Sequence, residues 1–355
     1  MSKIFFEEEA VEFLPAKLLE FKQEGRSVFW LLDENTRRFC LQKIQKISDN
    51  LINNSNIIEI PSGEINKNLS QLGQIWDFLT LSGADRKSVL IVLGGGMLCD
   101  LGGFAASVYQ RGIETLYIPT TLLAMVDASI GGKTGFDYQN LKNHIGTFYL
   151  PKNILIFSDL IESLPIRERN SALAEVIKYG YISRPEILWK MKEETFSKDS
   201  VSKIIRWCIE DKVRITTSDP LEQGFRKVLN FGHTLGHAIE SVALETGIDV
   251  LHGEAVAAGI ACELWLSVKM KGLDEGYLND YLHFLKMYFS PLAFVRSAIE
   301  MIVHRTGMDK KNSQGRVKAV LILAPGNPVF DIVLEESLIR ESLVFYSSLD
   351  FRRSK

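Results

Sequence analysis

The sequence has few cysteines and no long apolar run, and both shortages narrow the classes of protein to which it can belong. Its 355 residues include four cysteines, and none of them stands in a CxxC pair. This argues against a disulfide framework and fits a reducing compartment. No stretch of about 18 uncharged apolar residues occurs, which argues against a membrane span. The N-terminus also lacks the basic start and apolar run of a secretory signal, so we expect a cytoplasmic protein.

The chain also lacks a strong excess of charge of either sign. Lysines and arginines number 41 against 44 aspartates and glutamates, which leaves a formal net charge of −3. Binding to nucleic acid through overall charge needs a basic surface, so this class is not favoured. A hydrophobic fraction of 46% with 24% charged residues is typical of a globular protein. At about 150 residues per domain, the length predicts two domains.

Two kinds of periodicity divide the chain near residue 160. Before it, strands are predicted at 27–33, 57–60, 88–93 and 115–118, and helices at 36–48, 66–82 and 98–108. After it, helices are predicted at 166–182, 201–217, 229–244, 254–271 and 273–288, with one strand-like run at 317–323. Alternating strands and helices indicate βαβ units and a mostly parallel sheet. We therefore predict an α/β domain over residues 1–160 and a mainly α-helical domain over residues 161–355.

Polar residues and glycines follow the predicted strands, where open parallel sheets bind ligands. Asp33 with Asn35 and Glu64 with Lys67 follow two of the strands, and acidic side chains there suit ribose hydroxyls. Gly94–Gly96 ends another strand and opens a helix, whose N–H groups suit a pyrophosphate. Because the pattern is GGGxxxDxGG rather than GxGxxG, a tight turn that needs positive φ is the alternative. Together the strand ends indicate that the first domain binds a dinucleotide.

Candidate metal ligands lie in three segments, which have the sequences ALAEVIK, NFGHTLGH and LHGE. In the second, His233 and His237 are four residues apart and would share one face of a helix, a spacing typical of zinc ligands. Thr234 stands where a zincin-type protease has glutamate, which argues against that class. The alternatives are hydrogen-bonded helix histidines and, for Glu175 with Lys178, an ordinary helix salt bridge. The cluster as a whole favours a metal site in the helical domain.

Cationic side chains occur where a solvated charge is not expected. Lys133 lies in the glycine-rich segment SIGGKTG, and Lys142 lies in NLKNHIG. Lys212 falls partly on the apolar stripe of its helix, and Arg226 precedes the histidine segment. Cations beside short polar residues suit a phosphate or a carboxylate, although Lys133 could be a plain loop lysine and Lys212 a snorkelling one. A metal beside a nicotinamide suggests oxidation of an alcohol on a small anionic substrate.

At these residues the sequence resembles the 3-dehydroquinate synthase family, one of the sugar-phosphate cyclases. The resemblance runs from about Asp33 to Leu323, with motifs in the family's order: GGGMLCDLGGF, QRG, IPTTLLAMVDASIGGKTG, LKNHIG, AEVIK, NFGHTLGHAIE, LHGEAVAAG and MDKKNSQG. It implies NAD and one divalent metal ion, zinc or cobalt, as cofactors. It also implies a homodimer in which Arg111 is contributed across the interface.

The resemblance assigns residues to each ligand. It implies metal ligation by Glu175, His233 and His252, and it turns His237 toward the substrate instead. The implied NAD contacts are Asp33, Asn35, Glu64, Lys67, Gly95, Gly96, Asp100, Thr120 and Thr121. The implied substrate-binding and catalytic residues are Arg111, Asp127, Lys133, Lys142, Asn143, Lys178, Lys212, Glu222, Arg226, Asn230, His237 and Lys311, with Lys310 as the alternative to the last.

The activity that the resemblance implies is conversion of 3-deoxy-D-arabino-heptulosonate 7-phosphate to 3-dehydroquinate and phosphate, in the shikimate pathway of aromatic amino acid biosynthesis. The implied steps are transient oxidation by NAD, elimination of phosphate, reduction and intramolecular aldol closure. The enzyme would therefore be a carbon–oxygen lyase. Lysines that orient the phosphate would act by positioning.

Two departures and three alternatives accompany the resemblance. Met97, Leu98 and Cys99 are bulkier than the family's usual residues, which predicts different packing near the cofactor, and Pro220 replaces a common acidic residue near Glu222. Other sugar-phosphate cyclases act on sedoheptulose 7-phosphate or glucose 6-phosphate, which lack the carboxylate. Related metal-dependent polyol dehydrogenases stop at oxidation, and a non-catalytic NAD- or metal-binding protein is the alternative outside enzymes.

Overall fold

The chain divides into two units, Met1–Pro165 and Ile166–Lys355. The computed structural model describes residues 2–139, 141–192, 198–290, 292, 296–307 and 316–349. None of the described helices combines the length and the apolar character that crossing a membrane requires.

The first unit alternates strands with helices. Its strands are β1 (Lys3–Phe6), β2 (Val28–Asp33), β3 (Ile57–Ile60), β4 (Val89–Gly94), β5 (Glu114–Pro119), β6 (Lys133–Tyr138), β7 (Leu141–Phe148) and β8 (Asn153–Ile156). Its helices are α1 (Glu8–Gln23), α2 (Glu34–Phe39), α3 (Leu41–Ile47), α4 (Leu69–Leu81) and α5 (Gly96–Val108). A π-helical turn, Ala124–Ala128, precedes β6.

Six of these strands form one parallel sheet in the order β1-β8-β5-β4-β2-β3. The central strand β4 has the sequence VLIVLG and is buried at every position, as expected for a parallel strand covered on both faces. The predicted α/β domain with a mostly parallel sheet is confirmed. Outside this sheet, β6 and β7 pair antiparallel as a separate hairpin.

The second unit is mainly helical, as predicted. Its helices are α6 (Ile166–Ile182), α7 (Glu186–Lys192), α8 (Lys198–Ser218), α9 (His233–Glu245), α10 (His252–Lys271), α11 (Glu275–Tyr288), α12 (Arg296–Gly307) and α13 (Glu336–Ser347), and its strands β9 (Lys318–Ala324) and β10 (Asn327–Val333) pair antiparallel. Helix α10 is buried along most of its length and packs against α6, α9, α11, α13 and β9. It is therefore the core of this unit, which explains why it is apolar on most sides.

Glycines set the close approach of α9 to α10. A β-carbon on Gly259 of α10 would lie 2.0 Å from the carbonyl oxygen of Gly232, so the two backbones nearly touch at that point. Gly232 itself has a φ of 80°, in the left-handed region that favours glycine, and it ends the irregular segment before α9. The contact places His233, the first residue of α9, against the core helix.

Most of the predicted helices match the structure to within three residues at each end, and two differ more. The helix predicted over 36–48 is two helices that meet at Cys40, where φ is −113°. The helix predicted over 229–244 starts only at His233, because Gly232 is left-handed and the preceding Phe225–Asn230 forms a 3-10 helix. Apolar spacing alone does not register either break.

Candidate dinucleotide and metal sites

The carboxyl ends of β3, β2, β4 and β5 lie along one edge of the sheet, because these four strands are parallel neighbours. Asp33 is the last residue of β2 and caps α2, where its Oδ1 accepts a hydrogen bond of 2.7 Å from the N–H of Thr36. Asn35 is exposed in the first turn of the same helix. The structure thus brings the predicted polar residues of this strand to the edge where open parallel sheets bind ligands.

Three residues assigned to NAD form one ion cluster in the first unit. Nζ of Lys67 lies 2.5 Å from Oδ2 of Asp100 and 3.5 Å from Oε1 of Glu64. Burial alone would lower the pKa of Lys67, but the charges of Asp100 and Glu64 raise it above its usual value. This buried lysine therefore remains charged and holds the two carboxylates together.

The glycine turn before α5 does not have the positive φ that the alternative interpretation required. Gly95 is the N-cap of α5 with a φ of −75°, and neither Gly94 nor Gly96 has a positive φ. The glycines instead allow close approach, because a β-carbon on Gly95 would lie 3.0 Å from Cγ2 of Thr121. The turn leaves the first N–H groups of a 13-residue helix beside Thr121, an arrangement that suits a phosphate.

The first unit also carries five residues assigned to the substrate: Arg111, Asp127, Lys133, Lys142 and Asn143. Asp127 lies in the π-helical turn, a rare conformation that is frequent at functional sites. Lys133, Lys142 and Asn143 lie on the β6–β7 hairpin and are exposed. Arg111 is exposed after α5, with a φ of 69°.

Asp137 connects the hairpin to the ion cluster of Lys67, and the sequence analysis missed it. Its N–H donates to the carbonyl oxygen of Lys67 at 2.7 Å, and its Oδ1 accepts from the N–H of Asn143 at 2.8 Å. Burial raises the pKa of Asp137 above its usual value. The signal was an acidic residue between two lysine-bearing motifs, although spacing alone gave it no partner.

In the second unit, two imidazoles approach one oxygen of a buried carboxylate. Oε1 of Glu175 lies 3.2 Å from Nε2 of His233 and 3.9 Å from Nε2 of His252. The other oxygen, Oε2, pairs with Nζ of Lys178, which is also buried. Neither oxygen has a hydrogen-bond donor in good geometry among the residues that the structure describes. A buried carboxylate of this kind needs further compensation, which a cation would supply.

The opposite nitrogens of the two imidazoles are held by other groups. Nδ1 of His233 lies 3.1 Å from the carbonyl oxygen of Phe231, and Nδ1 of His252 lies 3.3 Å from Oε2 of Glu240. An imidazole whose Nδ1–H donates to an oxygen presents a lone pair on Nε2, which is the form that binds a metal. Both rings thus offer Nε2 toward Glu175.

His237 belongs to the same cluster. One ligand nitrogen of each of His233, His237 and His252 lies within 4.8 Å of those of the other two. The centroids of the His233 and His237 rings are 5.2 Å apart, as their spacing on one helix requires. The structure therefore brings together the pair found by spacing, His233 and His237, and the three ligands implied by the resemblance, Glu175, His233 and His252. The cluster thus contains four candidate ligands, one more than the three that a catalytic zinc site uses.

The donor set fits a divalent ion such as zinc. Burial alone would raise the pKa of Glu175, but the neighbouring cations, first of all Lys178, more than offset this as the carboxyl titrates at low pH, so the pKa lies well below the usual range. Burial lowers the pKa of His233 despite the neighbouring carboxylate, which keeps its imidazole neutral at pH 7. An ionised carboxylate with neutral imidazoles is a typical donor set for catalytic zinc.

Burial argues against two alternative interpretations of lysines in this unit, a surface salt bridge for Lys178 and a snorkelling side chain for Lys212. Lys178 and Glu175 are both buried, so their ion pair is unlike an ordinary salt bridge on a helix surface. Lys212 on α8 is buried as well, whereas a snorkelling lysine would keep its ammonium group in water.

The segment before α9 carries three more predicted residues: Glu222, Arg226 and Asn230. Nδ2 of Asn230 donates to Oε1 of Glu222 at 2.6 Å, which fixes the orientation of the amide. Asp219, which the sequence analysis missed, accepts from the N–H groups of Gly224 and Arg226 and so shapes this turn. Lys310 and Lys311 lie outside the described residues.

Solved structures with the same fold span nearly the whole chain. The structure of 2-epi-5-epi-valiolone synthase from Streptomyces hygroscopicus, with NAD+ and Zn2+ bound, matches with a TM-score of 0.85 and 22% identity over 99% of this chain and 98% of that one. The structure of 2-deoxy-scyllo-inosose synthase, complexed with carbaglucose-6-phosphate, NAD+ and Co2+, matches with a TM-score of 0.80 and 22% identity over 96% of this chain and 95% of that one. At this identity the likeness shows the fold.

Sequence comparison goes further than the fold. The family model described as 3-dehydroquinate synthase N-terminal matches residues 57–171, and the one described as 3-dehydroquinate synthase C-terminal matches residues 172–312. A 3-dehydroquinate synthase from Parabacteroides distasonis is 38% identical over 329 residues, which cover 92% of this chain and 91% of that protein.

The two family models together match residues 57–312, and the Parabacteroides relative matches nearly the whole chain. The chain therefore belongs to the 3-dehydroquinate synthase family.

Proposed function

We propose that this enzyme converts 3-deoxy-D-arabino-heptulosonate 7-phosphate to 3-dehydroquinate and phosphate, as a cytoplasmic carbon–oxygen lyase. The main structural support is the approach of Nε2 of His233 and Nε2 of His252 to one buried oxygen of Glu175. The relatives of this chain are named 3-dehydroquinate synthase. A metal site of this kind is what transient oxidation of a hydroxyl needs.

The cofactors are NAD, held in the first unit, and one divalent ion, held in the second. The NAD contacts are Asp33, Asn35, Glu64, Lys67, Gly95, Gly96, Asp100, Thr120 and Thr121. When bound, NAD+ takes and returns a hydride while the ion acidifies the hydroxyl that is oxidised. Zinc is our first choice of ion, and cobalt suits the same ligands.

The metal ligands are Glu175, His233 and His252. Two observations favour this set over the three histidines. Nε2 of both His233 and His252 approaches the same oxygen of Glu175, and both rings have an oxygen at Nδ1. Lys178 pairs with the second oxygen of Glu175, which leaves the first to face the imidazoles. The role that this leaves for His237 is to orient the substrate or relay a proton.

The remaining polar residues bind and orient an anionic sugar phosphate. The cations in this group are Arg111, Lys133, Lys142, Lys178, Lys212, Arg226 and Lys311, and the other members are Asp127, Asn143, Glu222 and Asn230. Lysines that fix the phosphate let it accept a proton from the neighbouring carbon during its own elimination, so they act by positioning. Arg226 suits a carboxylate because a guanidinium can bind both of its oxygens. The active form is a homodimer in which Arg111 reaches the site of the partner.

The alternative is the activity of another sugar-phosphate cyclase, because 2-epi-5-epi-valiolone synthase and 2-deoxy-scyllo-inosose synthase have the same fold. The chain keeps a set of cationic and amide groups that together favour a substrate with a carboxylate, namely Lys133, Asn143, Arg226, Asn230 and His237. We therefore favour the heptulosonate over a simple sugar phosphate.

The test is release of phosphate by the purified protein, with NAD+ and Zn2+, from three substrates: the heptulosonate phosphate, sedoheptulose 7-phosphate and glucose 6-phosphate. We expect release from the first alone, and loss of it in His252→Ala. Release from another sugar would keep the reaction class and replace the substrate. No release from any of the three, by protein shown to bind NAD and zinc, would overturn the proposed reaction.

A further inference from the structure

Glu240 is a buried carboxylate beside the candidate metal site that neither spacing nor resemblance assigned to any role. It lies on α9, seven residues after His233 and therefore on the same face of the helix. Its side chain is 6% exposed. A carboxylate that is this deeply buried needs partners that compensate its charge, and His252 is one of them.

The geometry divides the two nitrogens of His252 between two carboxylates. Nδ1 lies 3.3 Å from Oε2 of Glu240, and Nε2 lies 3.9 Å from Oε1 of Glu175. If Nδ1 carries the proton and donates it to Glu240, the lone pair sits on Nε2 and faces Glu175. A hydrogen bond of this kind fixes both the tautomer and the rotation of the ring.

His233 and His252 differ in how they are held. Nδ1 of His233 meets a main-chain carbonyl, that of Phe231, so its anchor is part of the backbone. His252 is the first residue of α10 and its side chain is 33% exposed, against 11% for His233. The less buried ring therefore depends on a side chain to hold its orientation.

We infer that Glu240 is a positioning residue that holds His252 in the tautomer and orientation for metal binding. The inference rests on the proposed metal site and adds to it a residue that contacts a metal ligand rather than the ion. Loss of such a partner typically lowers metal affinity by about 10- to 100-fold. Glu240 also adds a negative charge next to the ring, which makes the imidazole a stronger ligand.

The experiment measures zinc affinity of the full-length protein by competition with a chromophoric chelator, together with the visible absorption spectrum of the Co2+-loaded form. Glu240→Ala should bind zinc about 10- to 100-fold more weakly and should change the Co2+ spectrum. Glu240→Gln should lose less affinity, because its amide oxygen can still accept the proton of Nδ1. Glu245→Gln is the matched control, since Glu245 lies on the same helix with half of its side chain exposed, and it should bind zinc like the wild type.

The outcomes separate this inference from the proposed site. Wild-type protein that does not bind zinc would overturn both. Wild-type protein that binds zinc, with Glu240→Ala and Glu240→Gln unchanged in affinity and spectrum, would overturn the role of Glu240 alone. A variant with a lower melting temperature of the metal-free form but full zinc affinity would show a purely structural role and would also count against us. Should Glu240→Ala fail to fold, Glu240→Gln decides.

Discussion

All four cysteines of the chain are buried, and this fixes their reactivity. Burial raises the pKa of the Cys40 thiol to about 11, and it raises the pKa of Cys99 and Cys262 above the usual value as well. The reactive thiolate forms only above the pKa, so at pH 8 these thiols are both shielded and protonated.

We therefore expect the native protein to resist iodoacetamide at pH 8, with four cysteines labelled once it is unfolded. Mass spectrometry of timed samples would count the labels. Rapid modification of any cysteine in the native protein, with the melting temperature unchanged, would contradict the buried environment described above.

Residue spacing predicted side chains that share one helix and missed those that meet only through packing. His233 and His237 are four residues apart on α9, and Glu175 with Lys178 are three apart on α6, so sequence distance alone placed each pair on one face. Glu240 and Asp137 find their partners on other elements. No local pattern distinguishes such a residue from an ordinary acidic residue, and only the resemblance brought Glu175 and His252 to the same ion.

At the scale of elements, the contact between α9 and α10 should be intolerant of a single methyl group. In Gly259→Ala the new carbon would lie 2.0 Å from the backbone oxygen of Gly232, which cannot move without displacing His233. We expect a loss of about 2–3 kcal/mol in the free energy of unfolding, together with weaker zinc binding. Denaturant unfolding and chelator competition would measure the two effects.

Gly73 offers the matched control for this substitution. It lies inside α4 with nothing within 4 Å of the position of a new β-carbon. Gly73→Ala should stabilise the protein by about 0.5–1 kcal/mol, because alanine loses less backbone entropy in a helix. Equal effects of the two substitutions would show that α9 and α10 are not in close backbone contact.

An ion pair between partly exposed Arg184 and buried Asp211 connects the end of α6, the helix of Glu175 and Lys178, to α8. Both oxygens of Asp211 accept from the guanidinium of Arg184, at 3.0 and 3.1 Å, and Oδ2 also accepts from Oγ of Ser183. Asp211→Asn should destabilise the protein by about 1–2 kcal/mol, because Arg184 loses the charge of its more buried carboxylate partner and keeps only that of Glu210. Glu210→Gln, at an exposed pair with the same arginine, should cost less than about 1 kcal/mol.

Chemical denaturation of the two variants would compare these costs. An Asp211→Asn variant no less stable than Glu210→Gln would mean that this pair does not hold the two helices together.

The elements that sequence predicted well are those whose apolar pattern matches one period over a long run. Strand β3 and helix α6 have the bounds that were predicted, β2 differs by one residue at its start, and β4 is shifted by one residue at both ends. The hairpin of β6 and β7 was not predicted, because GKTGFDY and LKNHIGTF mix glycine, charged and apolar residues without alternation. Pairing between two strands, rather than local preference, stabilises such a hairpin.

At the scale of the whole molecule, each cofactor should stabilise the folded chain independently of the other. Free ligand at about 100 times its Kd adds about 2.7 kcal/mol, or about 5–10 °C in melting temperature for units of this size. We expect such a shift with zinc and another with NAD+. In His252→Ala the zinc shift should vanish and the NAD+ shift should remain.

Calorimetry with each ligand added alone would test this pair of shifts. A zinc shift that persists in His252→Ala would place the ion elsewhere.

Composition and periodicity predicted the class of each half, and the structure confirms the parallel sheet in the first and the helices in the second. Neither could rank His237 against His252 as a ligand, because periodicity describes one element at a time. That choice came from family resemblance, and it stays a prediction.

The order of strands in the large sheet has a consequence for how the chain is made. Strand β1 lies at the sheet edge and pairs with β8, so Lys3 meets Asn153, which leaves the ribosome roughly 150 residues later. At about 5–20 residues per second, β1 waits on the order of 10–30 s for β8, with which it pairs. Strand β1 is therefore held in the sheet only after the other five strands have been synthesised.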